Sequence, residues 1–135
     1  MSTGSVFLDS GIFIAFLDRS DAYHDPAVQL FSDPPRGWCT SLPVVAETYG
    51  WFLHRLGEEA ARTFRILLGE LPRLRLLAID AAHHAEVSRK LDRFRGYKLT
   101  YVDASSLVFL GRHGIRHVWG TDRDLAIEGA SVTPG

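Results

Sequence analysis

The sequence predicts an α/β fold: a three-layer α/β/α sandwich on a central parallel sheet of four to five strands. Three observations predict it. Short apolar runs of strand length alternate with stretches of helical periodicity. These runs are apolar on both faces, as expected for parallel strands covered on each side. The 135 residues, 46% hydrophobic and 23% charged, suit one domain, residues 1–135, with a real core.

In chain order, residues 5–9 (SVFLD) read as a buried strand, and residues 11–18 (GIFIAFLD) as a short buried helix. Asp25-Pro26 opens a helix over 25–31, because proline is tolerated in the first turn. DPPRG at 33–37 breaks it, and 38–41 (WCTS) form a second strand. A helix covers 42–57, with Ser41 as N-cap and Gly57 at its end. Its main apolar face is Leu42, Val45, Tyr49, Phe52 and Leu56. Another helix, 58–71, stops at Pro72, and 74–79 (LRLLAI) is a third strand. An amphipathic helix over 81–94 is followed by one at 101–114 that is apolar almost all round. Residues 116–121 are a fourth strand, 122–129 a short helix, and SVT at 131–133 a last edge strand.

Charge and composition narrow the function. Net charge is −1, so no global polyanion-binding surface is announced. The distribution is uneven: residues 89–98 (RKLDRFRGYK) hold five bases and one acid. Such a stripe meets a polyanion locally or is simply a solvated helix face. The single cysteine, Cys39, excludes an internal disulfide and a multi-thiolate zinc site, and makes the cytoplasm the expected compartment. No membrane contact is expected, since no apolar run reaches the roughly 18 residues of a span. MSTGS at the N-terminus lacks the pattern of a secretory signal. No phosphate-cradling glycine motif occurs, and AHHAE at 82–86 is not a zinc-protease pattern. Its two histidines are expected at the surface of an amphipathic helix.

The acids carry the chemistry. Ligands of parallel α/β sheets bind at the carboxyl ends of the strands. Asp9 ends the first predicted strand there, and Asp122 and Asp124 follow the fourth. Asp103 sits near the start of the apolar helix, where solvation is poor. Glu47 lies opposite the main apolar face of its helix, yet between Val44 and Trp51, as a cleft residue would. Each has a purely structural reading. Asp9-Ser10-Gly11 suits a turn or N-cap, Thr100-x-x-Asp103 a cap, and Asp122 and Asp124 a helix start. Glu47 alone suits a wet surface. Together, acids from separate elements converging on one sheet edge favour a hard divalent cation, Mg²⁺ or Mn²⁺. Beside a basic stripe, that chemistry points to phosphodiester hydrolysis.

Four stretches, in order and spanning nearly the whole chain, resemble the PIN-domain family, specifically VapC-type toxin ribonucleases. They are VFLDSGIFIAFLDRSDAYHDPA, TSLPVVAETYGWF, YKLTYVDASSLVFLGRHGI and HVWGTDRDL. The resemblance implies Asp9, Glu47, Asp103 and Asp122 as the acidic set, with Asp124 an alternative for the fourth place. It also implies a PIN-like sandwich, a Mg²⁺- or Mn²⁺-dependent endoribonuclease, a homodimer and a cognate antitoxin. Ser10 is expected to support a ligand carboxylate or the phosphate. Arg89, Arg93, Arg95 and Lys98 are expected, on charge alone, to contact RNA backbone. The alternatives are a nuclease of the same fold outside any toxin–antitoxin pair, and a non-catalytic RNA- or partner-binding module. A phosphohydrolase would want D-x-D-x-T after the first strand, and Asp9-Ser10-Gly11-Ile12 does not supply it.

Overall fold

The computed structural model describes residues 5–135; residues 1–4, part of the stretch read for a secretory signal, lie outside them. Five strands, β1 (Ser5–Leu8), β2 (Gly37–Ser41), β3 (Arg75–Leu77), β4 (His117–Gly120) and β5 (Ser131–Pro134), form one sheet. All pairings are parallel, in the order β3-β2-β1-β4-β5. The helices are α1 (Ser10–Leu17), α2 (His24–Ser32), α3 (Leu42–Leu56), α4 (Glu58–Glu70), α5 (Ala81–Arg93) and α6 (Tyr101–His113). A 3-10 turn, Arg123–Ala126, stands where a short helix is expected.

The strand order dictates the layers. From β1 the chain steps outward to β2 and β3, then returns across β1 to β4 and on to β5. Right-handed crossovers put α1–α4 on one face and α5–α6 on the other. Alternation along the strands matches. Phe7 stacks on Phe109 of α6 at 6.5 Å. Trp38 and Trp119 meet edge-to-face at 5.9 Å, and both pack on Phe31 of α2. Phe7, Phe13, Phe52 and Phe64 are fully buried, each contributing roughly 1.5–3 kcal/mol of transfer free energy.

Three local expectations are corrected. The third strand shrinks to Arg75–Leu77 and is not covered on both sides, with Leu76 51% exposed. It is a sheet edge, and a short edge strand offers little template for pairing with another chain. In α3 the buried face is Val44, Thr48 and Phe52, while Leu42 and Leu56 are exposed. His83 is buried, not superficial. Its Nε2 lies 2.7 Å from Ser105 Oγ and its ring packs on Phe109 at 4.3 Å. Burial, with Arg112 adding to it, holds its pKa below the usual imidazole value. His84 is exposed as expected.

Candidate active site

β1 and β4 are adjacent central strands whose onward connections leave in opposite directions, which opens a crevice at their carboxyl ends. The end of β1 is held from both sides. Thr40 Oγ1 of β2 donates to the Leu8 carbonyl at 2.7 Å, and the Asp9 amide donates to the Trp119 carbonyl of β4 at 2.9 Å. Two glycines let the backbones close. A Cβ on Gly11 would collide with Thr121 Oγ1, and one on Gly120 would lie 3.1 Å from Asp9 Cβ.

Asp9 occupies the N-cap position of α1 but makes no capping hydrogen bond, so capping does not account for it. Its side chain is buried, with the residue 4% exposed. Burial pushes its pKa from 3.8 up to about 7. The Ser10 amide opposes that rise, and the charges of Glu47, Asp103 and Asp122 add to it. These three acids, from α3, α6 and the loop after β4, therefore share one field with Asp9.

Asp103 makes the expected cap and also lies among the other acids. Thr100 Oγ1 accepts from the Asp103 amide at 3.1 Å, and Asp103 Oδ2 accepts from the Thr100 amide at 3.1 Å, a complete capping box. The half-buried carboxyl still turns to the cluster. Desolvation raises its pKa against the Thr100 bonds, and neighbouring Asp122 raises it further. Asp122 caps the 3-10 turn, its Oδ1 accepting from the Asp124 amide at 2.9 Å. One carboxylate oxygen each from Asp103, Asp122 and Asp124 lies within 4.8 Å of the others. Both candidates for the fourth acid thus reach the site, but of the two only Asp122 is among the charges acting on Asp9.

Glu47 is exposed, as the helical wheel suggests. It nevertheless lines a cleft of about 400 Å³ between α1 and α3, together with Ser10 of α1. Glu47 thus lies in a cleft, although the apolar face that the wheel sets opposite it is replaced by Val44, Thr48 and Phe52. Among the described residues, no lysine, arginine or histidine forms an ion pair with any of these five acids. Oxygen donors crowded without a counter-charge, two of them with raised pKa values, fit a hard divalent cation.

The basic stripe is divided. Lys90 shares a cavity with Leu110, Gly114 and Arg116, at the end of α6 remote from Asp103. Arg89 and Arg93 flank it on α5, with Arg93 3.5 Å from Glu128, which Lys90 also pairs with. Arg95 lies 3.7 Å from Asp92. Lys98 alone stands beside the N-terminus of α6, two residues before Thr100.

The PIN-domain family profile matches residues 6–127. The chain is 27% identical over 125 residues to the 23S rRNA-specific endonuclease VapC20 of Mycobacterium tuberculosis, covering 92% of this chain and 94% of that protein. The crystal structure of Mycobacterium tuberculosis VapC20, described as a Sarcin-Ricin loop cleaving toxin, superposes with a TM-score of 0.86. That match has 25% identity and covers 93% of this chain and 96% of the other. FitAcB from Neisseria gonorrhoeae has the same fold, with a TM-score of 0.63 at 18% identity over 94% of this chain and 95% of the other. DNA-bound VapBC from Salmonella typhimurium gives 0.60 at 19% over 95% and 96%. The profile covers β1 to β4 and all five acids of the site, and the chain belongs to the PIN-domain family.

Proposed function

We propose that this chain is a single-domain, Mg²⁺- or Mn²⁺-dependent endoribonuclease and the toxin of a toxin–antitoxin pair. The observation that carries the proposal is the shared field of Asp9, Glu47, Asp103 and Asp122 at the β1–β4 crevice. Asp9, Glu47, Asp103 and Asp122 would hold the metal, with Asp124 as a further oxygen donor. When bound, the cation supplies an activated water and neutralises charge on the phosphate.

The chain's own residues do the rest. Burial of Asp9 and the capping bonds of Asp103 hold two carboxylates in fixed positions before substrate arrives. Ser10, beside Asp9 and in the cleft with Glu47, supports a carboxylate or a phosphate oxygen. Lys98 is the basic residue best sited to meet RNA near the cut, and Arg89, Arg93 and Arg95 would engage backbone further along. The named target of VapC20 makes 23S rRNA the first substrate to try. An antitoxin, homodimerisation and a cytoplasmic setting belong to the same proposal. No helix among the described residues is long and apolar enough to cross a membrane.

The test is incubation of purified protein with total cellular RNA and Mg²⁺ or Mn²⁺, with mapping of new ends. Discrete cuts that chelation, Asp9→Asn and Asp103→Asn each abolish are expected. Undiminished cleavage by both folded variants refutes the site; no cleavage with either metal refutes the activity.

A further inference from the structure

The cleft beside Glu47 contains more than the acidic site uses. Glu47, Trp51, His54 and Arg55 fall at i, i+4, i+7 and i+8 of α3, on one face. Ser10 and Ile14 of α1 form the opposite wall. Gly50 also lines it and faces open space, since a Cβ there would meet nothing within 4 Å. The Trp51 ring is fixed edge-on against Phe52, with centroids 5.2 Å apart. The Arg55 guanidinium lies over its face at 5.6 Å from the centroid. Among the described residues Arg55 has no carboxylate partner.

The Trp51 ring with the Arg55 guanidinium over it, a charge that no carboxylate among the described residues neutralises, offers in an open cleft what a nucleotide needs: a stacking surface for the base, on the ring or on the guanidinium plane, and a counter-charge for the phosphate. Each helical turn advances about 5.4 Å, so this pair lies one to two turns from Glu47, the reach of a neighbouring nucleotide.

We propose that Trp51 and Arg55 form a base-stacking subsite for single-stranded RNA, holding a nucleotide that flanks the scissile phosphate. The proposal rests on the ribonuclease reading. It adds the α1–α3 cleft to the substrate path, beside the basic residues that charge alone suggests.

Trp51 reports on its own occupancy. The other tryptophans, Trp38 and Trp119, are 3% and 8% exposed, so quenching by an added ligand reads chiefly Trp51. The experiment titrates metal-free protein with short single-stranded oligoribonucleotides of mixed sequence, following intrinsic fluorescence and the anisotropy of a labelled oligonucleotide. Saturable quenching is expected. Trp51→Ala and Arg55→Ala should weaken binding about fivefold or more, as loss of a stacking residue does, with Trp51→Phe in between. In cleavage assays the loss should fall on KM more than on kcat. Arg55 is exposed, so Arg55→Ala decides the matter if Trp51→Ala fails to fold. Oligonucleotide binding with Trp51 unquenched, or at wild-type affinity in the folded variants, overturns the subsite alone. Variants that bind and cut RNA normally but no longer take up a partner protein overturn it too, and assign the cleft to that partner. RNA that wild-type protein neither binds nor cuts refutes the ribonuclease reading itself.

Discussion

Asp9→Asn should stabilise the metal-free protein while destroying its activity. Asp9 titrates at 3.8 when unfolded and at about 7 in the fold. Above pH 3.8 the unfolded chain releases this proton while the folded chain retains it, so rising pH favours unfolding. The loss accumulates up to about pH 7 and then levels off, because both states are ionised beyond that point. The interval corresponds to about 4 kcal/mol at pH 8. Burial supplies most of it and the three facing acids the remainder. Asparagine keeps the shape and removes the charge. Urea denaturation or thermal melts of chelator-treated protein from pH 4.5 to 8.5 measure the gap. Near pH 4.5 the gap should be only about 1 kcal/mol. By pH 8 the variant should melt higher by on the order of 10–20 °C. Mg²⁺ or Mn²⁺ should then close or reverse the gap, because mass action stabilises only the chain that binds the metal. A variant no more stable than wild type at pH 8 without metal refutes the claim that Asp9 is held at an electrostatic cost.

Thr100→Val removes one half of the capping box and should cost about 1 kcal/mol in urea denaturation. RNA cleavage should fall further than stability does, since Asp103 loses its fixed position, and Thr100→Ser should restore both. His83 is held neutral, its pKa below 6.5, so its contribution to folding is complete above pH 6.5 and is lost as pH falls through the lowered folded value. His83→Gln should flatten the acid side of the stability profile, and a variant profile as steep as wild type between pH 7 and pH 5 would contradict the burial assigned to His83.

Much of the architecture was legible because parallel strands announce themselves. Val6, Phe7 and Leu8 lie between two layers and are apolar without alternation. β3 was misleading for the same reason: Leu74, Leu76 and Leu77 read as covered on both faces, but an edge position is a tertiary fact that leaves no mark in a short run. His83 shares a helix face with Val87, and what makes it a core residue is Ser105 on another helix. That partner cannot be read from local periodicity. Asp103 showed both of its roles in sequence, the T-x-x-D cap and the apolar setting. Glu47 showed exposure and its flanking Val44 and Trp51, but its proximity to Asp9 depends on how α1 lies against α3. The charge run at 89–98 could not reveal that Arg93 is drawn to Glu128, which follows β4 in the chain.

The position of β4 between β1 and β5 has a consequence for biosynthesis. Asp9 emerges from the ribosome early, on a strand whose only partner for most of synthesis is β2. Asp122 arrives near the end, and its place beside Asp9 exists only once β4 has inserted against β1. That pairing closes one of the longest loops in the chain, and such contacts form late. A nascent or truncated chain that stops short of β4 carries Asp9, Glu47 and Asp103 but has no crevice to gather them in. The acidic crevice is therefore completed last, and a copy interrupted before β4 lacks it.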